Sequence, residues 1–183
     1  MSHTPKGAWA ARPAGAGFCV PRLAPYAMAP IDKSSRHSKI TGDFAEYLFL
    51  YWLSKHGFEC SRGDQTGIDL IAGDRRTHER KGISVKCRSR VPGKETTSIN
   101  LYRADIKKAE DACIAFGCKP YFAIAADLND KIVAFMLPAE KLAGMFKRGS
   151  DLYGWKMTEK ALAQYSADPA IEKFELLSKT GEW

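Results

Sequence analysis

The sequence Gly67-Ile68-Asp69-Leu70-Ile71-Ala72, followed after a basic turn by Ile83-Ser84-Val85-Lys86-Cys87-Arg88, decides the fold of this chain. Two short apolar runs on either side of a polar connection are typical of neighbouring β-strands. The first run carries a carboxylate, Asp69, and the second carries an ammonium, Lys86. An acid and a lysine on adjacent strands can hold a divalent cation beside a phosphodiester. We therefore expect the functional site on this strand pair.

The register of the second strand decides which of its side chains share a face, because side chains alternate along a strand. We predict a strand over residues 82–90, in which Ser84 and Lys86 point to the same side as Arg88 and Arg90. A competing triplet, Glu79-Arg80-Lys81, also has an acid two residues before a lysine. Its middle residue is charged and it adjoins a glycine in turn-like sequence, so we favour the register of Ser84 and Lys86.

Helical and strand patterns continue on both sides of this pair. We predict helices over residues 41–56, with Thr41 as N-cap, over 104–116, from 138 onward and over 155–166; and strands over 58–62, 68–72, 82–90, 98–101, 121–128 and 132–137, with one further element over 171–177. This order indicates an α/β protein, a three-layer α-β-α sandwich with a central mixed sheet.

The chain divides by composition into an extension and one domain. Residues 1–37 are rich in Ala, Pro and Gly and show no helical or strand period, so we predict a disordered N-terminal extension. Residues 38–183 form the predicted domain, with a core over 38–137 and additional helical and strand elements over 138–183.

The charge of the chain favours an acidic partner. The formal net charge is +7, and residues 74–94 contain eight Lys and Arg but only two acidic residues. Nucleic acid is the partner that such a concentration of positive charge indicates. The side chains that we expect to contact phosphate are those of Arg80, Lys81, Arg88 and Arg90.

Cysteine and apolar content point to the compartment. The five cysteines are odd in number and irregularly spaced, which is not typical of a disulfide framework or a zinc site and favours the cytoplasm. No segment approaches the roughly 18 apolar residues of a membrane span, so we expect no membrane partner.

Oxygen ligands for a cation can be named on three elements. Asp69 and the backbone carbonyl of Val85, on adjacent strands, can each donate an oxygen to one ion. Glu46, in the first helix, can add another if that face of the helix lies against the sheet. The alternative is an exposed Glu46 that only stabilises the positive end of the helix dipole.

At these residues the chain resembles the PD-(D/E)XK nuclease superfamily. The pattern consists of Glu46 on the first helix, Asp69 in Gly-Ile-Asp, and Ser84-Val85-Lys86 on the following strand. The Gly-Ile-Asp form is most similar to the Mrr-type restriction and Holliday-junction-resolvase-like branches. The resemblance covers residues 38–137 and implies a restriction-endonuclease-like α-β-β-β-α-β core. It also implies hydrolysis of nucleic acid, which we expect to be DNA rather than RNA, with Mg²⁺, or alternatively Mn²⁺, as cofactor. Asp69 would be a metal ligand, Lys86 the catalytic lysine, and Glu46 an auxiliary ligand or base.

Ser84 departs from the family pattern, which has Glu, Asp or Gln two residues before the lysine. A hydroxyl is a weaker ligand for a hard cation than a carboxylate. Three compensations are open: Glu46 takes the vacant position, Asp64 or Glu79 reaches in from a turn, or Ser84 holds a metal-bound water.

Three functions follow from this departure. The chain is an active nuclease, a catalytically inactive nucleic-acid-binding relative, or a protein-interaction module whose basic hairpin meets an acidic protein. A homodimer is compatible with each of them.

Overall fold

The computed structural model describes residues 32–145 and 151–177. Most of the extension predicted to be disordered, residues 1–31, lies outside this range. The elements are α1 (His37–Lys55), β1 (Phe58–Gln65), β2 (Ile68–Asp74), β3 (Arg80–Ser89), β4 (Ile99–Tyr102), α2 (Arg103–Phe116), β5 (Lys119–Asp127), β6 (Lys131–Pro138), α3 (Ala139–Gly144), β7 (Leu152–Trp155), α4 (Glu159–Ala167) and β8 (Glu172–Leu177).

A six-stranded mixed sheet in the order β1-β2-β3-β5-β6-β8 forms the centre of the domain. β3 and β5 run parallel, and the other neighbouring pairs in this sheet are antiparallel. The parallel pair follows from the crossover through β4 and α2, because parallel neighbours require a long connection. The strand pair predicted from the sequence is therefore β2 and β3, in the middle of the sheet.

Helices cover both faces of this sheet. On one face, Ala45, Phe49 and Leu53 of α1 pack against Ile83 and other strand residues. On the other face, Ile106 and Ala109 of α2 belong to a second buried cluster with residues of β5 and β6. The α/β class and the three-layer sandwich with a central mixed sheet are thus confirmed. The order α-β-β-β-α-β expected of the core is present, with β4 inserted between β3 and α2.

The N-terminus of α1 differs from the prediction. The helix begins at His37, so Thr41 lies inside it and is not its N-cap. The Thr41 hydroxyl donates a hydrogen bond of 2.7 Å to the His37 carbonyl, four residues earlier. Threonine makes this bond within helices as well as capping them, which is why its presence alone misplaced the boundary.

The C-terminal part also needs correction. Trp155 was predicted to begin a helix, but it ends strand β7 and pairs with Ile99 of β4 in a separate two-stranded sheet. Its indole ring is fully buried and stacks on Tyr165 at 4.0 Å between centroids. The helix in this region, α4, begins at Glu159 instead. The helix predicted from residue 138 onward is α3, which ends at Gly144, and residues 146–150 lie outside the described residues.

The start of β2 is fixed against α2. Gly67 has a φ of +91°, and a Cβ added there would come within 2.5 Å of the Lys108 carbonyl oxygen. A residue without a side chain is therefore required for the backbone to pass this close to the helix. This contact sets the position from which the chain enters Ile68 and Asp69.

Among the helices of the described residues, none combines the length and apolar character that a membrane crossing requires.

Candidate functional site

Asp69 lies where β2 separates from β3. The ladder between these strands runs from Gly73–Arg80 to Leu70–Ile83, and the next step would place Asp69 opposite Ser84. Instead, the Val85 amide donates a hydrogen bond of 2.6 Å to Asp69 Oδ2, and the Ser84 hydroxyl lies 3.4 Å from the same oxygen. The carboxylate thus takes the place of a strand partner for β3. This contact agrees with the register of Ser84 and Lys86 and not with that of Glu79 and Lys81.

Glu46 lies on the side of α1 that faces β1, and it is paired with an arginine of that strand. Arg62 donates to Glu46 Oε2 from Nε at 2.7 Å and approaches it with Nη2 at 2.6 Å. The same guanidinium reaches Asp43 at 3.4 Å and the Tyr47 hydroxyl at 3.2 Å. These bonds, that with Tyr47 first and that with Glu46 next, raise the pKa of Arg62. Glu46 is one-fifth exposed, so it is neither buried nor on the far side of the helix.

Asp69 and Glu46 open into the same cleft of about 370 Å³. We call it the carboxylate cleft; its lining residues are Lys39, Asp43, Glu46, Arg62, Gly63, Asp64 and Asp69. Of these seven residues, four carry carboxylates and two carry cationic side chains. Helix α1 and the end of β1 therefore bring acidic groups towards the point where β2 and β3 part.

Ser84 and Lys86 lie on the α2 side of β3. Their partners on β5 are Phe122 and Ile124, both of which belong to the cluster under α2. Ser84 is buried, with 3% of its surface exposed, and Lys86 Nζ lies 3.6 Å from Asp105 Oδ2 at the start of α2. The structure therefore brings Ser84 to Asp69, but Lys86 does not line the carboxylate cleft.

The oxygen atoms at this site suit a hydrated magnesium ion. Asp69 and Glu46 supply the hard oxygen atoms that Mg²⁺ prefers, and Mg²⁺ in proteins is held by one or two carboxylates together with waters and substrate phosphates. The N–H and C=O of one strand residue point to the same side, so the Val85 carbonyl is on the side of Asp69. No group of three or more His, Cys, Asp or Glu is arranged for metal binding within residues 32–145 and 151–177. The residues thus fit a weakly held, mostly hydrated ion rather than a protein cage.

The four residues predicted to contact phosphate lie at or beside the two ends of β3. Arg80 and Arg88 are eight residues apart, about 26 Å at the rise of a strand. Both are exposed. Their side chains are therefore too far apart to contact the same phosphate.

The side chains of Lys81 and Arg90 already have partners within the protein. Lys81 is only 8% exposed, and its Nζ lies 4.9 Å from the ring centroid of Phe58 and 4.5 Å from that of Tyr121. Arg90 donates from Nη2 to the carbonyls of Thr97 and Ser98, and burial lowers its pKa. In this arrangement both side chains stabilise the fold, which argues against the phosphate contacts expected of them.

Sequence reasoning missed Arg62 and Asp43. Asp43 and Glu46 are three residues apart in a helix, a spacing that places both on one face. Arg62 ends the strand that was predicted immediately after this helix, so a cation opposite the two acids was available as a signal. Asp64 was named as a compensating acid and does line the cleft, whereas Glu79 pairs with Lys119 at 2.6 Å and does not.

A second cleft, of about 560 Å³, lies between the start of α1 and the end of β3. We call it the basic cleft; the residues that matter for its chemistry are Lys33, His37, Ser38, Lys86, Arg88 and Ser89. It borders the carboxylate cleft along α1, and Val85, which lines it, bonds to Asp69.

Comparison with known proteins gives a limited result. No family model and no curated protein matches the chain. Among solved structures, the chain is similar to Hjc, a Holliday junction resolvase from Archaeoglobus fulgidus, at 21% identity and a TM-score of 0.48, over 67% of this chain and 88% of that one. A similarity of this size does not carry an activity over, so membership of the PD-(D/E)XK superfamily stays a prediction.

Proposed function

We propose that this protein is a Mg²⁺-dependent nuclease that hydrolyses phosphodiester bonds in DNA. The observation that carries the proposal is the position of the Asp69 carboxylate, held by the Val85 amide at the point where β2 leaves β3 and open to a cleft that it shares with Glu46. Acidic oxygens lie at a strand divergence, beside a basic cleft, and Asp69 is bonded to the residue that directly precedes Lys86. Together these are the groups that phosphodiester cleavage needs.

Each side chain has a distinct part in this proposal. Asp69, Glu46 and the Val85 carbonyl would hold the ion, which when bound supplies charge neutralisation at the phosphate oxygens and the leaving group. Lys86 offsets negative charge that develops on the phosphate and orients the attacking water. Ser84, through its hydroxyl contact with Asp69, fixes the orientation of that carboxylate. Glu46 takes part only when its ion pair with Arg62 opens.

The test is cleavage of supercoiled plasmid and of single-stranded DNA with Mg²⁺, with Mn²⁺ and with EDTA. We expect cleavage by the wild-type protein with either metal and none in EDTA. Lys86→Ala and Asp69→Asn should abolish cleavage, while Lys86→Ala largely keeps DNA affinity.

The matched control is Lys107→Ala, which removes an exposed lysine of α2 that pairs with Asp111 on the same helix. It should cleave at the wild-type rate. Cleavage by the Lys86→Ala protein at the wild-type rate would refute the assignment.

A second function, nucleic-acid binding without catalysis, is favoured by two specific observations. Ser84 stands where the resemblance calls for a carboxylate, and both Glu46 and Lys86 are already engaged, with Arg62 and Asp105. This function predicts salt-sensitive binding with no turnover in Mg²⁺ or Mn²⁺.

Two finer expectations accompany the proposal. A preference for DNA is checked by cleavage of DNA and RNA oligonucleotides of the same sequence. A homodimer is checked by the molar mass from light scattering.

A further inference from the structure

We infer that the basic cleft binds the phosphodiester backbone of a polynucleotide strand and leads it to Asp69. This inference rests on the proposed function, because it names where the strand runs at the proposed site. The residues that carry it are Lys33, which precedes α1, and Arg88, near the end of β3. The sequence pattern did not predict that these two residues lie in the same cleft.

The first support is the charge of the cleft. Lys33, His37, Lys86 and Arg88 line it, and none of its lining residues has a carboxylate. Lys33 Nζ donates to the Ser89 carbonyl at 2.8 Å and to its hydroxyl at 3.1 Å, and Arg88 Nη1 donates to the Cys87 carbonyl at 2.7 Å. Within residues 32–145 and 151–177, neither Lys33 nor Arg88 forms an ion pair, although the Ser89 hydroxyl that Lys33 contacts donates to Asp127 at 2.8 Å. Lys86, in contrast, pairs with Asp105.

The second support is the contrast with the other end of β3. The hairpin between β2 and β3 also carries two arginines, but Arg75 lies 3.5 Å from Glu59, and Arg76 lies 3.7 Å from Asp74. Its positive charges are therefore partly neutralised within the protein. Phosphate gains more from cations that lack a partner, because no existing ion pair has to break.

The third support is the distance to the carboxylate cleft. Val85, which bonds to Asp69, is three residues from Arg88 along β3, or about 10 Å at the rise of a strand. This length corresponds to about three nucleotides of a duplex strand at 3.4 Å each. A strand held between Lys33 and Arg88 therefore reaches Asp69 within a few nucleotides. The exposed hydroxyl of Ser38 lies in the same cleft and offers a further contact.

The experiment measures binding in EDTA, so that it does not depend on hydrolysis. Fluorescein-labelled 20-nucleotide DNA, single-stranded and duplex, is titrated with the full chain over a range of salt concentrations. The double variant Lys33→Gln/Arg88→Gln should bind on the order of tenfold or more weakly near 0.1 M salt, with the slope of log affinity against log salt reduced by about 2. The control, Arg75→Gln/Arg76→Gln, removes the same charge from the hairpin and should change both quantities much less.

A second pair of variants makes the result independent of local rearrangement. Ser38→Lys should raise affinity and Ser38→Glu should lower it, and their thermal midpoints should stay close to that of the wild type. Equal losses in the cleft and hairpin variants, or a binding constant insensitive to both Ser38 changes, would overturn the inference. If the wild-type protein shows these binding effects but does not cleave DNA, the result counts against the proposed hydrolysis alone. If the protein binds an acidic protein but not DNA, the result counts against a polynucleotide as the ligand.

Discussion

Replacing Gly67 by alanine tests how the site is anchored to α2. Gly67 has a φ of +91°, and its missing Cβ would meet the Lys108 carbonyl oxygen at 2.5 Å and the Ala109 nitrogen at 2.9 Å. Both of these atoms belong to the backbone of a helix, so they cannot turn aside as a side chain would. The substitution must therefore strain the local backbone and also push β2 away from α2.

The magnitude follows from two costs and one compensation. A side chain in the left-handed region costs about 1–2 kcal/mol, and a group forced into packed structure costs about 1–3 kcal/mol. Alanine also restricts the unfolded chain, which returns about 0.4–1 kcal/mol. We expect a net loss of about 1–4.5 kcal/mol in the free energy of unfolding, a large fraction of the stability of a domain of this size.

Gly93 provides the matched control. Its φ is +82°, but no atom lies within 4 Å of the added Cβ, so Gly93→Ala carries the backbone strain without the clash. Urea unfolding followed by tryptophan fluorescence gives both values, compared at an unchanged m-value. We expect Gly93→Ala to cost about 0–1.5 kcal/mol. Equal losses for the two variants, or a loss below about 0.5 kcal/mol for Gly67→Ala, would refute the close approach to α2 as the reason for this glycine.

Three further predictions concern the sheet. Ser84→Glu places a second carboxylate beside Asp69, so we expect a lower thermal midpoint in EDTA and a larger gain on adding Mg²⁺ than in the wild type, measured by differential scanning fluorimetry; equal gains would contradict a shared cation. Burial raises the pKa of the Cys87 thiol from 9.0 to about 11, and the negative charge of Asp127 is the second cause of this rise. The neutral thiol therefore contributes stability that is complete below pH 9 and is lost as the pH rises through 11, and urea unfolding should show a smaller decline over this range for Cys87→Ala. Arg90→Gln removes bonds to two loop carbonyls and should lower the free energy of unfolding by about 1–3 kcal/mol, with a DNA affinity closer to wild type than that of Arg88→Gln.

The parts of the fold that sequence could predict are those whose signal is local. The strands around Asp69 and Lys86 show apolar alternation on either side of a short polar turn, and both lie within one hairpin. In the structure Asp69 contacts Ser84 and Val85, because the pairing of adjacent strands follows from their turn. The apolar face of α1 also identified the helix, although not its first residue.

The parts that sequence could not predict depend on contacts between distant segments. β4 and β7 pair across more than fifty residues, so nothing near Trp155 revealed that it belongs to a strand. Lys81 looked exposed because it is charged, yet rings from two different strands, Phe58 and Tyr121, enclose its ammonium. Glu46 was recognised as unusual, but its partner Arg62 comes from another element, and only the packing of α1 on β1 joins them.

The bond between Asp69 and Val85 gives the site a spectroscopic signal of its own. The acceptor of the Val85 amide proton is a carboxylate, with 2.6 Å between the amide nitrogen and Asp69 Oδ2. In a strand ladder the acceptors are backbone carbonyls. A short bond to an ionised acceptor moves an amide resonance downfield and slows its exchange with solvent. When a cation draws the Asp69 oxygen away, or when Asp69→Asn removes the charge, this one resonance should shift back and its exchange should quicken. Nuclear magnetic resonance of a single backbone amide can therefore follow occupation of the site without any substrate.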